Sequence, residues 1–277
     1  MREPSAKRII VNADDYGYTR GVSEGIRRAF AEGVLSSATA MMNMPGVEDD
    51  LREAKEKTPT LPFGVHLVLT AGRPISAPHD VPSLVDSDGL FHSRQGFFDA
   101  CDDYAIDEVE LEWSRQIDRL IACGVAPDHL DSHHHTSYLH PTTARAMLNL
   151  ATRLGLPVRR PPAPPEAHPA VPMMFEQATV RMPDLFVGEL MKGSSADKFV
   201  ALAHAVPAGR SAEFMVHPAV VDDELLRVST YAEPRGPELT TLLDPTVSAF
   251  AASGQMVLAT FDHLEERNRG RETSPAG

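Results

Sequence analysis

Side chains that can bind a metal or transfer a proton lie in or at the ends of four short apolar segments. The first segment runs directly into Asp14 and Asp15, and the last ends at His217. Another carries His66, and a fourth closes in the histidine run 133–135. If the segments are parallel strands, their carboxyl ends meet at one edge of the sheet. We therefore expect these groups to converge on one site.

Adjacent carboxylates can divide two tasks between them. Neighbouring side chains of a strand point in different directions, so one of Asp14 and Asp15 can ligate a cation while the other acts as a base. A divalent ion would offset the repulsion between them. Capping of the following helix is the alternative explanation for paired aspartates.

The histidines complete a possible set of metal ligands. In an extended segment, His133 and His135 share one face while His134 turns away. One carboxylate and two imidazoles give three protein ligands with positions left open, as in catalytic zinc and related facial sites. A water bound at an open position is acidified towards neutral pH. A buried core histidine at His66 is the alternative without a metal.

Several polar residues are candidates for supporting the ligands or for binding a substrate. A ligating imidazole usually donates its second N–H to an oxygen, and His129, Asp131 and His135 lie in the right segment for this role. Asp131 is the favoured acceptor, with capping of the next loop as an equal alternative. Arg159 and Arg160 end a predicted strand, where they would bind substrate hydroxyls or the catalytic carboxylates, unless one is merely a solvated charge.

Short β-branched segments alternate with longer amphipathic ones along the chain. We predict strands at Arg8–Ala13, Ser37–Met42, Gly64–Leu69, His129–His133, Val158–Arg160, Glu213–His217 and Met256–Thr260. We predict helices near Val22–Glu32, Val47–Lys57, Val109–Cys123, Pro141–Leu154, Glu189–Ala205 and Leu239–Ala252. Such alternation implies an α/β fold with parallel pairing. About seven repeats favour a closed or nearly closed, TIM-barrel-like (β/α) barrel over an open sheet.

Two long stretches, Thr70–Asp103 and Pro161–Asp184, interrupt this alternation. Both follow predicted strands, so they would rise from the C-terminal face of the barrel, where active sites gather. Simple connecting loops are the alternative. We predict one barrel domain over residues 1–264 and a flexible tail over 265–277.

Composition excludes several classes of partner. The 277 residues include 26 basic and 39 acidic side chains, a formal net charge of −13. This balance argues against nucleic acid and against an anionic membrane surface. The absence of a long apolar run and of a signal-peptide pattern, with two cysteines outside any CxxC pattern, favours a soluble cytoplasmic protein. A homodimer is compatible with a barrel of this size.

The segment Ile10–Gly17, IVNADDYG, resembles the opening motif of the YdjC-like carbohydrate deacetylases, which include chitooligosaccharide deacetylases and hopanoid-biosynthesis-associated relatives. Three further blocks match in the same order: GVHLVLT at 64–70, HLDSHHH at 129–135 and MVHPA at 215–219. The resemblance extends over residues 8–262, nearly the whole chain.

This resemblance implies a TIM-barrel-like fold, a divalent cation that is magnesium or zinc, and removal of the acetyl group from an N-acetylated amino sugar. By position, Asp15, His66 and His133 would hold the metal. Asp14 would be the general base, and His217 the general acid.

One position departs from the family pattern. Ser137 stands where relatives often have a further histidine, which puts in question the role of this position and the usual substrate, but not the three ligands. Tyr16 is a candidate for stacking on a sugar, or an ordinary anchor of its loop. The same ligand types would also serve a sugar isomerase or a phosphoesterase. A non-catalytic sugar-binding regulator is a third possibility, which the retention of Asp14 and His217 disfavours.

Overall fold

The computed structural model describes residues 6–162 and 164–264, which form an α/β structure around one parallel sheet. The strands are β1 (Arg8–Tyr16), β2 (Ser37–Ala40), β3 (Phe63–Leu67), β4 (Leu130–Ser132), β5 (Leu185–Val187), β6 (Ser211–Val216) and β7 (Val257–Leu258). Their order is β4-β3-β2-β1-β6-β5, and β7 also pairs with β1. All pairs between these strands are parallel, which confirms the predicted sheet.

The sheet is barrel-like, but the strand pairs of the described residues do not close it between β4 and β5. On the side of β4 away from β3, Leu130 forms a parallel bridge with Val158, which lies outside the named strands. The Val158 amide in turn donates to the Arg181 carbonyl at 2.9 Å. This single bridge extends the sheet towards β5 without adding a regular strand.

Helices flank the strands on the outside of the sheet. They are α1 (Arg20–Glu32), α2 (Val47–Lys57), α3 (Arg94–Ala100), α4 (Ile106–Ala122), α5 (Pro141–Leu154), α6 (Val171–Gln177), α7 (Ala196–Ala205), α8 (Asp223–Val228), α9 (Arg235–Leu242) and α10 (Pro245–Ala252). In α1, the hydroxyl of Thr19 caps the first turn and Val22, Ile26 and Ala29 form its buried face. Within the described ranges, no helix has both the length and the apolar character to cross a membrane.

The predicted strand Val158–Arg160 is wrong as a regular strand, because only Val158 forms a bridge. Prolines follow it at once, and a proline has no N–H to donate to a strand partner. The strand that pairs with β6 is instead β5, Leu185–Val187, just after the predicted loop Pro161–Asp184. That loop contains α6, and the stretch Thr70–Asp103 contains α3.

Two predicted helices have different bounds in the structure. The helix predicted at Glu189–Ala205 starts only at α7, because Gly193 adopts a left-handed φ of +90° after a 3₁₀ turn. The one predicted at Leu239–Ala252 is two helices, since Asp244 caps α10 and Pro245 occupies its first turn. The predicted tail, 265–277, lies outside the described residues.

Candidate active site

A cavity of about 820 Å³ opens where the carboxyl ends of β1, β3, β4 and β6 meet. Its walls include residues that the sequence predicted to converge on one site: Asp14, Asp15, His66, His133, His134, His135 and His217. The first long stretch contributes part of the wall at 70–72 and 93–94, whereas no described residue of the second, Pro161–Asp184, lines the cavity.

A β-bulge brings both aspartates to this cavity. The register of β1 against β2 shifts between Ala13 and Tyr16. Between them, Asp15 has a left-handed φ of +72°, a conformation that costs a residue with a side chain about 1–3 kcal/mol. Bulges of this kind re-aim side chains next to active sites. The bulge, rather than simple strand alternation, therefore places Asp14 and Asp15 side by side.

Tyr16 fixes the bulge from the far side and is fully buried, outside the cavity lining. Its hydroxyl donates to the carbonyl of Asp50 at 2.6 Å and accepts from Arg27 at 3.0 Å. Of the two alternatives for Tyr16, its contacts fit the loop anchor and not sugar stacking, because its ring packs edge-on against Phe63.

Asp15, His66 and His133 form a compact buried cluster at the floor of the cavity. Asp15 Oδ1 lies 3.0 Å from His133 Nδ1 and 3.2 Å from His66 Nε2. One ligand atom from each of the three residues falls within 4.8 Å of the others. The set of one carboxylate and two imidazoles fits a divalent cation such as zinc.

Asp131 orients His66 as a metal ligand would require. Its Oδ1 is 2.7 Å from His66 Nδ1, and such a carboxylate partner fixes the tautomer that leaves Nε2 as the ligand atom. Burial alone would lower the pKa of His66, but the charges of Asp131 and Asp14 outweigh it and raise that pKa to about 10. With both ring nitrogens facing carboxylates, the metal-free imidazole is protonated.

Asp14 is held by Arg159 beside this cluster. The guanidinium donates to both carboxylate oxygens, at 2.8 and 2.5 Å, a bidentate geometry that fixes the side chain. Burial opposes ionisation, yet Arg159 outweighs it and keeps the pKa of Asp14 below its usual range. Asp14 is therefore a carboxylate at neutral pH. Of the partners predicted for Arg159, the structure shows this carboxylate of the cavity.

Arg159 also links Asp14 to two other acids. It lies 2.9 Å from Asp131 Oδ2 and donates to Glu213 Oε1 at 2.8 Å. Complete burial raises the pKa of Glu213 to about 7 even with Arg159 beside it. An acid inside the apolar strand β6 was the available sequence signal for Glu213, and sequence reasoning missed it.

His217 faces Asp14 from the end of β6. Its Nε2 lies 3.8 Å from Asp14 Oδ2. Burial lowers the pKa of His217, so its imidazole is neutral at neutral pH. Its backbone N–H donates to Glu238 Oε2 at 2.7 Å.

The histidine run is a tight turn, so the expectation of an extended segment is wrong. His134 and His135 have left-handed φ values of +53° and +59°. This turn brings all three rings to the cavity, with His134 Nδ1 2.9 Å from the hydroxyl of Thr70. His135 packs edge-on against Phe186, and burial, with the nearby guanidinium of Arg159, lowers its pKa to about 3.

Two predicted supporting residues lie elsewhere. His129 stacks on Phe261 at 3.6 Å and pairs with Asp128 at 2.6 Å, away from the cavity lining. Arg160 donates to the carbonyl of Pro183 at 2.7 Å and forms an ion pair with Glu176. Both residues therefore have structural partners of their own.

Ser137 closes the histidine turn instead of lining the cavity. Its amide donates to Ser132 Oγ at 3.0 Å, and the two hydroxyls are 2.7 Å apart. The departure from the family pattern at this position is thus accommodated by local hydrogen bonding within the turn.

A second group of ligand-type residues, Cys101, Asp102 and His140, differs from the main cluster in its partners and in burial. His140 Nδ1 accepts from the Thr142 amide as the cap of α5. The remaining nitrogen, Nε2, then carries the proton that it donates to Asp102 at 3.0 Å. Asp102 is exposed to solvent, whereas Asp15, His66 and His133 are all buried, so this group does not match the main cluster.

Sequence reasoning also missed Arg235. Its guanidinium donates to Asp15 Oδ2 at 2.6 Å. Burial opposes ionisation of Asp15, but Arg235 and then His133 outweigh it and hold the pKa of Asp15 well below its usual range. A basic residue in the first turn of a helix, where acidic residues are favoured, was the available signal.

Fold and site together define an α/β protein with a carboxylate–histidine cluster at its strand ends and an arginine-held carboxylate beside it. The chain belongs to the YdjC-like protein family, whose family model matches residues 8–253. The family predicted from the sequence motifs is thus confirmed.

Named relatives cover nearly the whole chain. It is 41% identical over 252 residues to a carbohydrate deacetylase of Geobacillus stearothermophilus, covering 91% of this chain and 96% of that protein. A chitooligosaccharide deacetylase of Serratia marcescens is 34% identical, with 93% and 99% covered. A crystal structure from Enterococcus faecalis V583, provisionally described as a cellobiose-phosphate cleavage protein, matches with a TM-score of 0.86 and 33% identity over 93% of this chain and 98% of that one.

Proposed function

We propose that the protein is a metal-dependent carbohydrate N-deacetylase, which hydrolyses the acetamide of an N-acetylated amino sugar and releases acetate. The observation that carries this proposal is the cluster of Asp15, His66 and His133 with Asp14 next to it, at the floor of an open cavity. Relatives named as carbohydrate deacetylases support the reaction and the class of substrate.

Asp15, His66 and His133 would hold the cation. A bound divalent ion would polarise the acetamide carbonyl and acidify the attacking water. Zinc and magnesium are the candidate ions, and a donor set with two imidazoles suits zinc better.

Asp14 takes the proton of the attacking water. It is ionised at neutral pH because Arg159 holds its pKa low. The same contact makes Asp14 a modest base, so the transfer depends on a water that is already acidified. Arg159 meanwhile keeps the carboxylate from turning away from the cluster.

His217 delivers a proton to the amine nitrogen as the carbon–nitrogen bond breaks. Its neutral imidazole must first gain that proton, and its Nε2 is 3.8 Å from Asp14 Oδ2. We therefore propose that the proton accepted by Asp14 passes to His217 and then to the leaving amine. Proton balance is kept, since water contributes its hydroxyl to acetate and its proton to the amine.

The residues that form the site come from strands between β1 and β6, in both halves of the chain. We propose that the predicted domain over residues 1–264 acts as one catalytic unit. The curled sheet would then serve as the mouth of a barrel that admits the sugar from its C-terminal side.

The direct test is a screen of N-acetylated mono- and disaccharides for acetate release. The purified protein is stripped with chelator and reloaded with zinc, magnesium or manganese, and phosphate release and sugar isomerisation are followed in parallel. We expect acetate and free amine in equal amounts, only with metal. Phosphate release or isomerisation without acetate would contradict the proposal and favour the other metal-dependent reactions.

A further inference from the structure

Two buried residues of α9 contact groups of the reactive centre: Arg235, which also lines the cavity, contacts Asp15, and Glu238 contacts His217. Arg235 and Glu238 are three residues apart, so they lie on the same face of the helix. Their exposed fractions are 3% and 1%. Long charged side chains are buried this completely only when they are paired, so the partners of these two residues define their role.

Arg235 holds one oxygen of Asp15 and leaves the other free for the cluster. Its Nη2 donates to Asp15 Oδ2 at 2.6 Å, while Oδ1 faces His133 and His66. The guanidinium is itself fixed, because its Nε donates to the carbonyl of Tyr231 at 2.7 Å. Rotation of the Asp15 carboxylate would break the bond to Arg235.

Glu238 fixes the backbone of His217. Its Oε2 accepts from the His217 N–H at 2.7 Å, and its Oε1 accepts from the Tyr231 hydroxyl at 2.6 Å. The ring of Tyr231 also packs edge-on against the His217 imidazole, with centroids 5.6 Å apart. Tyr231 thus connects Arg235, which holds Asp15, to Glu238, which holds His217.

We propose that Arg235 and Glu238 are positioning residues that set the two halves of the reactive centre relative to each other. Arg235 aims Asp15 Oδ1 at the imidazoles, and Glu238 holds His217 at its distance from Asp14. This inference rests on the proposed function. It adds that metal affinity and proton delivery depend on one short helix that contributes no ligand.

The test of the Arg235 half is zinc affinity, measured by competition with a chromophoric chelator. Arg235→Met removes the guanidinium group, with its two donated hydrogen bonds, and keeps the apolar length of the side chain. Loss of a partner that orients a ligand typically weakens metal binding about 10–100-fold, and we expect a loss in this range. Arg235→Lys keeps the charge without the two-point fork and should fall between Arg235→Met and the wild type. It decides the question if Arg235→Met does not fold.

The role of Glu238 is tested by measuring kcat and zinc affinity on the same variants. Glu238→Met leaves the buried His217 N–H without an acceptor, and we expect kcat to fall about tenfold with zinc affinity near the wild-type value. Glu238→Gln should restore kcat, since its amide oxygen accepts from His217 and its NH₂ donates to Tyr231. Rescue by glutamine would show that kcat depends on the position of His217 and not on the charge of Glu238.

Thr241→Val is the matched control on the same helix, because Thr241 is buried and its hydroxyl accepts from the Ser194 hydroxyl at 2.9 Å, away from Asp15 and His217. It should lower stability without changing zinc affinity or kcat. If Arg235→Met and Glu238→Met merely match this control, the positioning role is wrong. If the wild type binds no metal and releases no acetate, the proposed function itself fails, which is a distinct result.

Discussion

Arg159 grips Asp14 through both carboxylate oxygens, and the same buried guanidinium touches Asp131 and Glu213 within 2.9 Å. One positive charge thereby serves three buried acids. Since Asp131 orients His66, this contact joins the proposed base to the proposed metal site.

Replacing Arg159 should destabilise the fold. Arg159→Met leaves three buried acids without their shared cation, and removal of one partner from a buried ion pair costs about 3–5 kcal/mol. Urea unfolding measures this loss. Arg160→Met is the matched control, because the neighbouring arginine pairs with a half-exposed Glu176, and it should cost about 1 kcal/mol or less. Equal losses for the two variants would contradict the account.

Removing the charge of Asp14 should separate catalysis from metal binding. Asp14→Asn keeps the shape of the side chain, yet the amide cannot accept the proton of the attacking water. We expect acetate release to fall about 10²–10⁴-fold with zinc content near the wild-type level. Rates and metal content are measured on the same preparation. Loss of zinc together with activity would show that Asp14 is a ligand.

Removing a metal ligand should lower zinc binding first, and acetate release should be lost as a consequence. His66→Ala is expected to deplete bound zinc and to abolish acetate release with it. Asp131→Asn, which only weakens the orientation of His66, should reduce zinc affinity about 10–100-fold. His129→Gln is the control, a buried histidine at the start of the same segment whose partners are Asp128 and Phe261. Normal zinc binding by His66→Ala would remove His66 from the site.

Metal binding should release a proton. In the metal-free protein the pKa of His66 is raised from 6.5 to about 10, so its Nε2 is protonated at pH 7. A protonated nitrogen cannot ligate, and zinc must displace that proton while Nδ1 keeps its bond to Asp131. Apparent affinity should therefore rise about tenfold per pH unit from pH 7 towards 10, and fall as the pH is lowered. Titration in a weak buffer with an indicator dye counts the released protons, and a count of zero at pH 7 would contradict this assignment.

Local patterns in the sequence were sufficient to predict the strands that carry the site. Burial on both faces makes β1, β3 and β6 largely apolar, so the chemical groups carried by β3 and those that end β1 and follow β6 stand out. Asp14, Asp15, His66, His133 and His217 were all identified in this way, and all line one cavity.

The errors arise where tertiary contacts override local pattern. Asp15 and the two histidines after His133 have left-handed φ values that depend on contacts with distant elements. One such contact is the hydrogen bond that the Tyr16 hydroxyl donates to the carbonyl of Asp50. The role of Arg235 was hidden because its partner, Asp15, lies 220 residues away in the chain. A strand as short as β5 carries too few residues to show a period.

The most direct test is to locate zinc by anomalous scattering in a crystal of the reloaded protein. We predict one strong peak in contact with Asp15 Oδ1, His66 Nε2 and His133 Nδ1, with Asp14 still held by Arg159. Zinc bound at some other group of side chains, or no peak in a preparation that releases acetate, would contradict it.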